Sequence, residues 1–227
     1  MELTENTTEI WLVRHGETII NKHQKYTGGH SIAIELDQNG IDQAQALGDY
    51  LKKLTIPFDY FYCSTTTRAQ KTLEYCFPSQ EYIVTDELLE VNQGDWEGKL
   101  KDEIYGREDV VLGLKQDNWN FVPGDLRKGE SQYHVAQRMK TWITAVARKH
   151  KNKRVIAFTH GSSIKFLLAD LSNCTDKSTA FKTPIDNTSI TVILAKHDVD
   201  TISFSVLKQN DVTHLKEANL MFVGLPY

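Results

Sequence analysis

The 227-residue chain reads as an α/β protein of three layers, α/β/α, with a mostly parallel central sheet and a small insertion over one sheet edge. Three observations predict this. Short apolar runs alternate with stretches of helical period, the order expected of a parallel sheet covered on both faces. Two of the apolar runs end alike, in Val-Arg-His-Gly at 13–16 and Phe-Thr-His-Gly at 158–161. Between residues 86 and 130 the alternation lapses under Gly94, Gly98, Gly106, Gly113, Pro123, Gly124 and Gly129, which marks residues 91–130 as the insertion.

In chain order, EIWLV at 9–13 is short and apolar, a buried strand. LDQNGIDQAQALGDYLKKL at 36–54 places Ile41, Ala44, Leu47, Leu51 and Leu54 on one helical face, and Pro57 stops it. YFYC at 60–63 is a second strand. STTTRAQKTLEYC follows as a helix carrying Arg68, Leu73 and Cys76, with its serine and threonines offering an N-cap. A short strand is expected at 82–84, then a partly helical insertion. Residues 131–150 form a long helix with Val135, Met139, Trp142, Ile143 and Val146 inward. VIAFTHG is a strand running into His160-Gly161, 162–171 a helix, and 189–195 and 202–207 two late strands. No repeat, low-complexity tract or linker interrupts residues 1–227, so a single domain is expected.

Composition narrows the function. Lys and Arg number 26 against 30 Asp and Glu, a net charge of −4 spread along the chain, which offers no basic face for nucleic acid. The run from Arg148 to Arg154 is expected to be the solvated end of a helix. There is no apolar run of roughly 18 residues to span a membrane, and MELTENTTEI lacks a signal peptide's basic-then-apolar pattern. Cys63, Cys76 and Cys174 are few and far apart, as in reduced, mostly buried thiols, so the cytoplasm is the expected compartment. No Cys/His or carboxylate/His cluster has ligand spacing, so neither a metal nor another cofactor is expected.

Functional groups of open α/β sheets gather at the carboxyl ends of the strands. His15 and His160 should therefore meet at one edge, each followed by a glycine that frees backbone N–H groups for an anion. The YFYC strand delivers Arg68 to the same edge through the next helix. Arg14, Arg68 and the two histidines then make a cationic pocket whose natural guest is a phosphoryl group, since arginine matches phosphate bidentately. These residues alone leave the alternative open, in which each histidine is structural and each arginine faces solvent.

A resemblance adds to them. RHGET with Asn21 resembles the signature of the histidine phosphatase superfamily, the phosphoglycerate-mutase-like fold. Further blocks are similar in family order: KYTG at 25–28, LDQNGIDQAQALGDYL, STTTRAQKT, LLEVNQGDWEG, GES at 129–131, FTHGSSIKFLL, NTSIT at 187–191 and NDVTHL at 210–215. The resemblance implies a metal-independent phosphatase that releases phosphate from a small phosphorylated substrate. His15 would be the nucleophile, forming a phosphohistidine, and Glu90 the general acid and then base. Arg14, Arg68 and His160 would hold the phosphoryl oxygens, with Asn21, Thr27, Gly28 and the Gly161 N–H as further phosphate contacts. Glu17 would orient the loop, His214 make a structural hydrogen bond, and Trp96 pack under the Glu90 loop. His23, His30, His134, His150 and His197 are expected at the surface.

The superfamily also holds mutases and binding modules. Mutases carry a tyrosine after the catalytic glutamate and an arginine pair in the insertion. Here Gln93 stands at the tyrosine position, no adjacent arginine pair occurs between 90 and 130, and Lys101 matches a mutase lysine. GDWEG resembles the hydrolase branch. A binding module would have lost His15, Glu90 or an arginine, and none is missing. Specificity is expected from residues 91–130, where Tyr105, Arg107, Lys115, Trp119, Phe121 and Arg127 could either touch substrate or pack. Substrate identity and oligomeric state are not legible.

Overall fold

The computed structural model describes residues 3–22, 33–172 and 184–220. It begins with β1 (Thr7–Arg14), a one-turn α1 (Ile19–Lys22), α2 (Gln38–Leu54), β2 (Tyr60–Ser64), α3 (Thr67–Cys76) and β3 (Ile83–Thr85). Two 3₁₀ turns, Asp86–Leu88 and Gly94–Trp96, lead to α4 (Lys101–Tyr105) and α5 (Glu108–Asp117). The long α6 (Gln132–Lys149), β4 (Arg154–Thr159), α7 (Gly161–Leu171), β5 (Ile190–His197), β6 (Ile202–Asp211) and α8 (Thr213–Glu217) complete it. Among the described residues no helix is long and apolar enough to cross a membrane.

The six strands form one sheet in the order β3-β2-β4-β1-β5-β6. The pairs β2–β3, β2–β4 and β1–β4 are parallel, whereas β5 and β6 run antiparallel to their neighbours. The mostly parallel sheet is thus present, with an antiparallel flank where β5 and β6 follow each other closely in the chain.

Strand period 2 explains the three layers. Along β1, Ile10 and Leu12 face the cluster built by α6 and α7 (Val135, Met139, Ile143, Ile164, Leu167). Trp11 and Val13 face the opposite cluster, built by α2 and α3 (Ala44, Leu47, Leu51, Leu73, Cys76). β4 divides the same way, with Val155 and Ala157 on the first face and Ile156 and Phe158 on the second. A strand buried on both faces reads as a continuous apolar run, as VIAF does.

Helix ends follow local chemistry. Asp37 caps α2 by accepting the Gly40 N–H at 2.9 Å, and Ser131 caps α6 by accepting the His134 N–H at 3.2 Å. α2 ends before Pro57, on Thr55 in the left-handed conformation, its N–H returned to the Lys52 carbonyl. Thr66, at the start of α3, makes no capping bond with its side chain. The expected cap is replaced by another contact, because the Thr66 hydroxyl faces His160.

Three expectations about the surface need correction. His150 is buried, its Nε2 bonded to the Tyr62 hydroxyl at 2.8 Å. Arg154 is buried as well and pairs through Nε with Glu9 Oε1 at 3.0 Å, so the 148–154 run dives into the sheet rather than staying solvated. His197 is half-buried against the Thr8 hydroxyl. All three partners lie far away in sequence, where local charge patterning cannot register them. His134 is exposed as expected, and His23, His30 and Cys174 lie outside the described residues. Gly113, read as a break, sits within α5, where Phe121 occupies the space a side chain would need.

Candidate active site

β1 and β4 are adjacent and parallel, with Arg14 level with Thr159. The residue after each strand is a histidine, so His15 and His160 arrive side by side, their ring centroids 5.2 Å apart. Both are buried. The His15 N–H holds the Thr159 carbonyl at 3.0 Å, tying one turn to the other. Gly16 is needed for close approach, since a Cβ there would meet the Gly40 backbone at the start of α2. Glu17 accepts the Asn39 amide with Oε2, and its N–H is taken by Gln43 Oε1. The carboxylate therefore orients the turn, as expected.

The hydrogen bonds define the tautomers. His15 Nδ1 lies 2.7 Å from the Gly16 carbonyl, which can only accept, so Nδ1 carries the proton. Nε2 then presents its lone pair, and it accepts from Arg68 Nε at 3.3 Å. His160 is arranged the other way round. Its Nδ1 accepts from Arg68 Nη2 at 3.2 Å, and its Nε2–H donates to the Ser64 hydroxyl at 2.9 Å, with the Thr66 hydroxyl further off at 3.4 Å. One buried guanidinium thus spans both imidazoles.

Electrostatics keep the rings neutral. Burial depresses the His15 pKa well below its ordinary value, Arg68 and Arg14 push it further, and the Gly16 bond only partly opposes them. Burial likewise lowers His160, with Arg68, His15 and Arg14 adding to it. Arg68 is itself pulled down to about 10 by burial, against the pull of Glu90, and so stays charged at neutral pH. Arg14 donates from Nη1 to the Ile185 carbonyl at 2.6 Å, while its Nε is buried without a partner among the described residues. A side chain at position 161 would press on that guanidinium, so Gly161 lets Arg14 lie against the first turn of α7.

Glu90 closes the group from the loop after Asp86–Leu88. Its Oε1 accepts the Val91 N–H at 2.9 Å and its Oε2 the Ser162 N–H at 3.2 Å, which sets it beside the α7 N-terminus. That loop is fastened by Thr159 Oγ1 donating to the Leu88 carbonyl at 2.7 Å and Ser163 Oγ to the Leu89 carbonyl at 2.6 Å. The arrangement offers a neutral imidazole with its lone pair exposed, two guanidinium groups, the N-terminus of α7 and one carboxylate. Such a set suits an anion of two negative charges that must gain one bond and lose another.

Of the expected site residues, the structure brings together His15, His160, Arg14, Arg68, Glu90 and Gly161. Asn21 accepts from the Thr18 N–H and hydroxyl with its Oδ1, so the bonds it makes return to its own turn. Thr27 and Gly28 lie outside the described residues. Trp96, expected under the Glu90 loop, is instead buried in the insertion's own cluster with Ile104 and Val110, its Nε1–H donated to Asp125. The insertion's other groups mostly pack. Trp119 meets Phe166 edge-on, Arg127 covers the Phe121 ring at 4.6 Å, and Arg107 pairs with Asp109 and Asp125.

Sequence reading missed four contributors. Lys165 stands one turn beyond Gly161 on α7, its pKa lowered by burial and by Arg14, with Glu90 opposing and Lys101 adding to the lowering. Glu97 acts on Arg68 from the insertion. Asn187 and Thr188 bond the backbone of Arg14 and His15. The i, i+4 spacing of Gly161 and Lys165 was the one available signal, since it places both on one helix face.

The buried histidines predict an acid limit to stability. Their folded pKa values lie below the unfolded one, with His214 at about 4, chiefly through burial. Above the unfolded value of about 6.5 they are neutral in both states and impose no penalty. As pH falls from there toward 4, only the unfolded chain takes up protons, so stability is lost. His214 alone accounts for on the order of 3 kcal/mol by pH 4. Thermal melts from pH 7.5 to 4.5 should show a midpoint falling steadily below pH 6.5; a constant midpoint down to pH 5 would contradict it.

With this geometry in view, the comparisons with known proteins are specific. The family model for the histidine phosphatase superfamily (branch 1) matches residues 10–207. A 2,3-bisphosphoglycerate-dependent phosphoglycerate mutase of Buchnera aphidicola is 31% identical over 201 residues, covering 75% of this chain and 86% of the relative. A metal-independent phosphoserine phosphatase of Arabidopsis thaliana is 29% identical over 230 residues, covering 99% of this chain and 90% of the relative. Among solved structures, a mutant phosphoserine phosphatase from Entamoeba histolytica in complex with phosphoserine matches with TM-score 0.79 at 25% identity, covering 92% of this chain and 99% of that one.

Proposed function

The chain belongs to the histidine phosphatase superfamily, and we propose that within it this protein is a metal-independent phosphomonoester hydrolase working through a phosphohistidine on His15. The observation that carries the reading is the tautomer of His15. Its Nδ1–H is committed to the Gly16 carbonyl and its Nε2 lone pair is presented at Arg68, inside a pocket of fixed positive charge.

In the first step Nε2 attacks phosphorus and the bond to the leaving oxygen breaks. Arg14, Arg68 and the Gly161 N–H hold the equatorial oxygens, where charge gathers in the transition state, and His160 joins them once the phosphoryl dianion draws a proton onto its Nδ1 in place of the Arg68 bond. Arg68 exchanges its bonds to His15 Nε2 and His160 Nδ1 for phosphoryl oxygens, which frees the Nε2 lone pair for attack. Glu90, protonated, gives its proton to the leaving alkoxide. In the second step Glu90 takes a proton from water, which attacks the phosphohistidine and restores Nε2. Each group ends as it began.

Several features support hydrolysis over retention of the phosphoryl group. Gln93 stands where mutases hold a tyrosine, and the insertion's aromatic groups pack against the protein. The full-length likeness to a phosphoserine phosphatase points the same way. One observation favours the second reading, transfer between positions of a phosphorylated acid. Lys165, on which both Glu90 and Lys101 act, would suit a carboxylate or second phosphate on the substrate. The test is a panel of small phosphomonoesters read by phosphate release, with phosphoglycerate isomerisation followed in parallel. Release without isomerisation is expected; isomerisation without release would replace hydrolase by mutase.

A further inference from the structure

His214 sits on α8, outside the pocket, yet a short run of bonds ties it to the nucleophile. Its Nε2 lies 2.9 Å from the Thr188 hydroxyl. Thr188 in turn gives its backbone N–H to the Arg14 carbonyl at 3.0 Å and to the His15 carbonyl at 3.3 Å. Asn187 adds its side-chain amide to the His15 carbonyl at 2.9 Å, and Arg14 gives its own N–H to the Ser189 carbonyl at 3.3 Å. The three residues 187–189 therefore clamp the backbone on both sides of the Cα that carries the catalytic ring.

The clamp is strained. Thr188 has φ 55, a left-handed conformation that a β-branched residue adopts only when its surroundings impose it. Its side chain is fully buried, and the hydroxyl is fixed between its neighbour's carbonyl (Asn187 O, 2.8 Å) and His214. Because the hydroxyl proton goes to the Asn187 carbonyl, His214 donates its Nε2–H to the hydroxyl oxygen. His214 Nδ1 is then the bare lone pair, buried with no partner among the described residues. Protonation would leave a buried N–H unanswered, in keeping with the low pKa of this ring. Tyr50 lies beside the imidazole, its ring centroid 6.0 Å away, and Asp211 is the charged group that opposes the lowering.

We propose that His214 is a positioning residue for the nucleophile, holding Thr188 left-handed so that residues 187–189 keep the Arg14-His15 backbone, and with it Nε2 of His15, in attack position. The proposal rests on the phosphohistidine reading above. It assigns His214 to the alignment of a step in which an error of about 1 Å costs on the order of 10²-fold in rate.

The test is a double-mutant cycle between His214→Phe, which keeps the ring volume, and Thr188→Gly, which accepts positive φ without support. Turnover of p-nitrophenyl phosphate and the imidazole nitrogen shifts of ¹⁵N-histidine-labelled protein are both read. His214→Phe should lower kcat by roughly 10- to 100-fold with KM within about twofold, and should shift the His15 resonances. In the Thr188→Gly background the same change should cost less than about threefold, because its route is already cut. His214→Gln, which restores a donor near the Nε2 position, should recover most of the loss and covers the case where the phenylalanine variant does not fold. Equal losses in both backgrounds, or unshifted His15 resonances in His214→Phe, overturn the proposal. Absence of wild-type turnover would instead sink the phosphatase reading, while the His15 shifts would still decide the positioning claim.

Discussion

Replacement of His15 by alanine is expected to lower phosphomonoester hydrolysis by roughly 10³-fold or more, the scale seen when a covalent nucleophile is removed. That corresponds to about 4 kcal/mol of transition-state stabilisation. Both rings present a lone pair to Arg68, His15 from Nε2 at 3.3 Å and His160 from Nδ1 at 3.2 Å, and the substitution leaves only His160, whose Nε2–H is held by Ser64. A water filling the imidazole's place is a far weaker nucleophile than the neutral ring. The substitution removes a buried acceptor from Arg68 and opens a small cavity, costing about 1–3 kcal/mol in stability. Activity per folded molecule is therefore the quantity to measure, with the melting curve as control. Turnover within tenfold of the original would remove His15 as nucleophile.

Glu90→Gln should produce a loss that depends on the leaving group. A general acid contributes typically 10²–10⁴-fold where the departing oxygen needs a proton. An alkyl phosphate such as phosphoserine has such a leaving group; p-nitrophenolate hardly needs help. We expect kcat/KM to fall by roughly 10²-fold or more for the alkyl ester and by less than about tenfold for the aryl ester. The ratio kcat/KM is the right readout because it reports the steps through phosphoryl transfer and leaves out hydrolysis of the intermediate. Glutamine can keep one of the two backbone bonds made by Glu90 but turns an N–H₂ toward the other donor, at Val91 or Ser162. That geometric cost falls equally on both esters, so the difference between them isolates proton transfer. Equal losses for the two would take the acid role from Glu90.

The pocket was legible in the sequence because its pieces are local signals placed by a simple rule. Val-Arg-His-Gly and Phe-Thr-His-Gly each end an apolar run, and parallel pairing of β1 with β4 converts that likeness into neighbouring rings. Arg68 was legible for the same reason, through the strand and helix that deliver it. The layers followed from period 2 in β1 and period 3.6 in α2 and α6. What escaped was contact between distant segments. Arg154 and His150 end a basic helix terminus by inspection, yet Glu9 and Tyr62 draw them inward. Thr66 has the chemistry of a cap, and the nearby His160 engages it. Thr188 gives no sign in sequence of its left-handed backbone, and its bonds to Arg14, His15 and His214 span the length of the chain. Lys165 reads as one polar residue in an apolar helix until Gly161 is known to touch Arg14.

The most direct test of phosphoryl transfer to His15 is a rapid-quench experiment with a ³²P-labelled phosphomonoester. The enzyme is stopped in alkali within the first turnover, digested, and its labelled peptide sequenced. A label stable to alkali, lost in acid and located on the peptide containing His15 is the predicted result, absent from His15→Ala. A label lost in alkali, as an acyl phosphate on a carboxylate would be, or one carried on another peptide, would contradict the account.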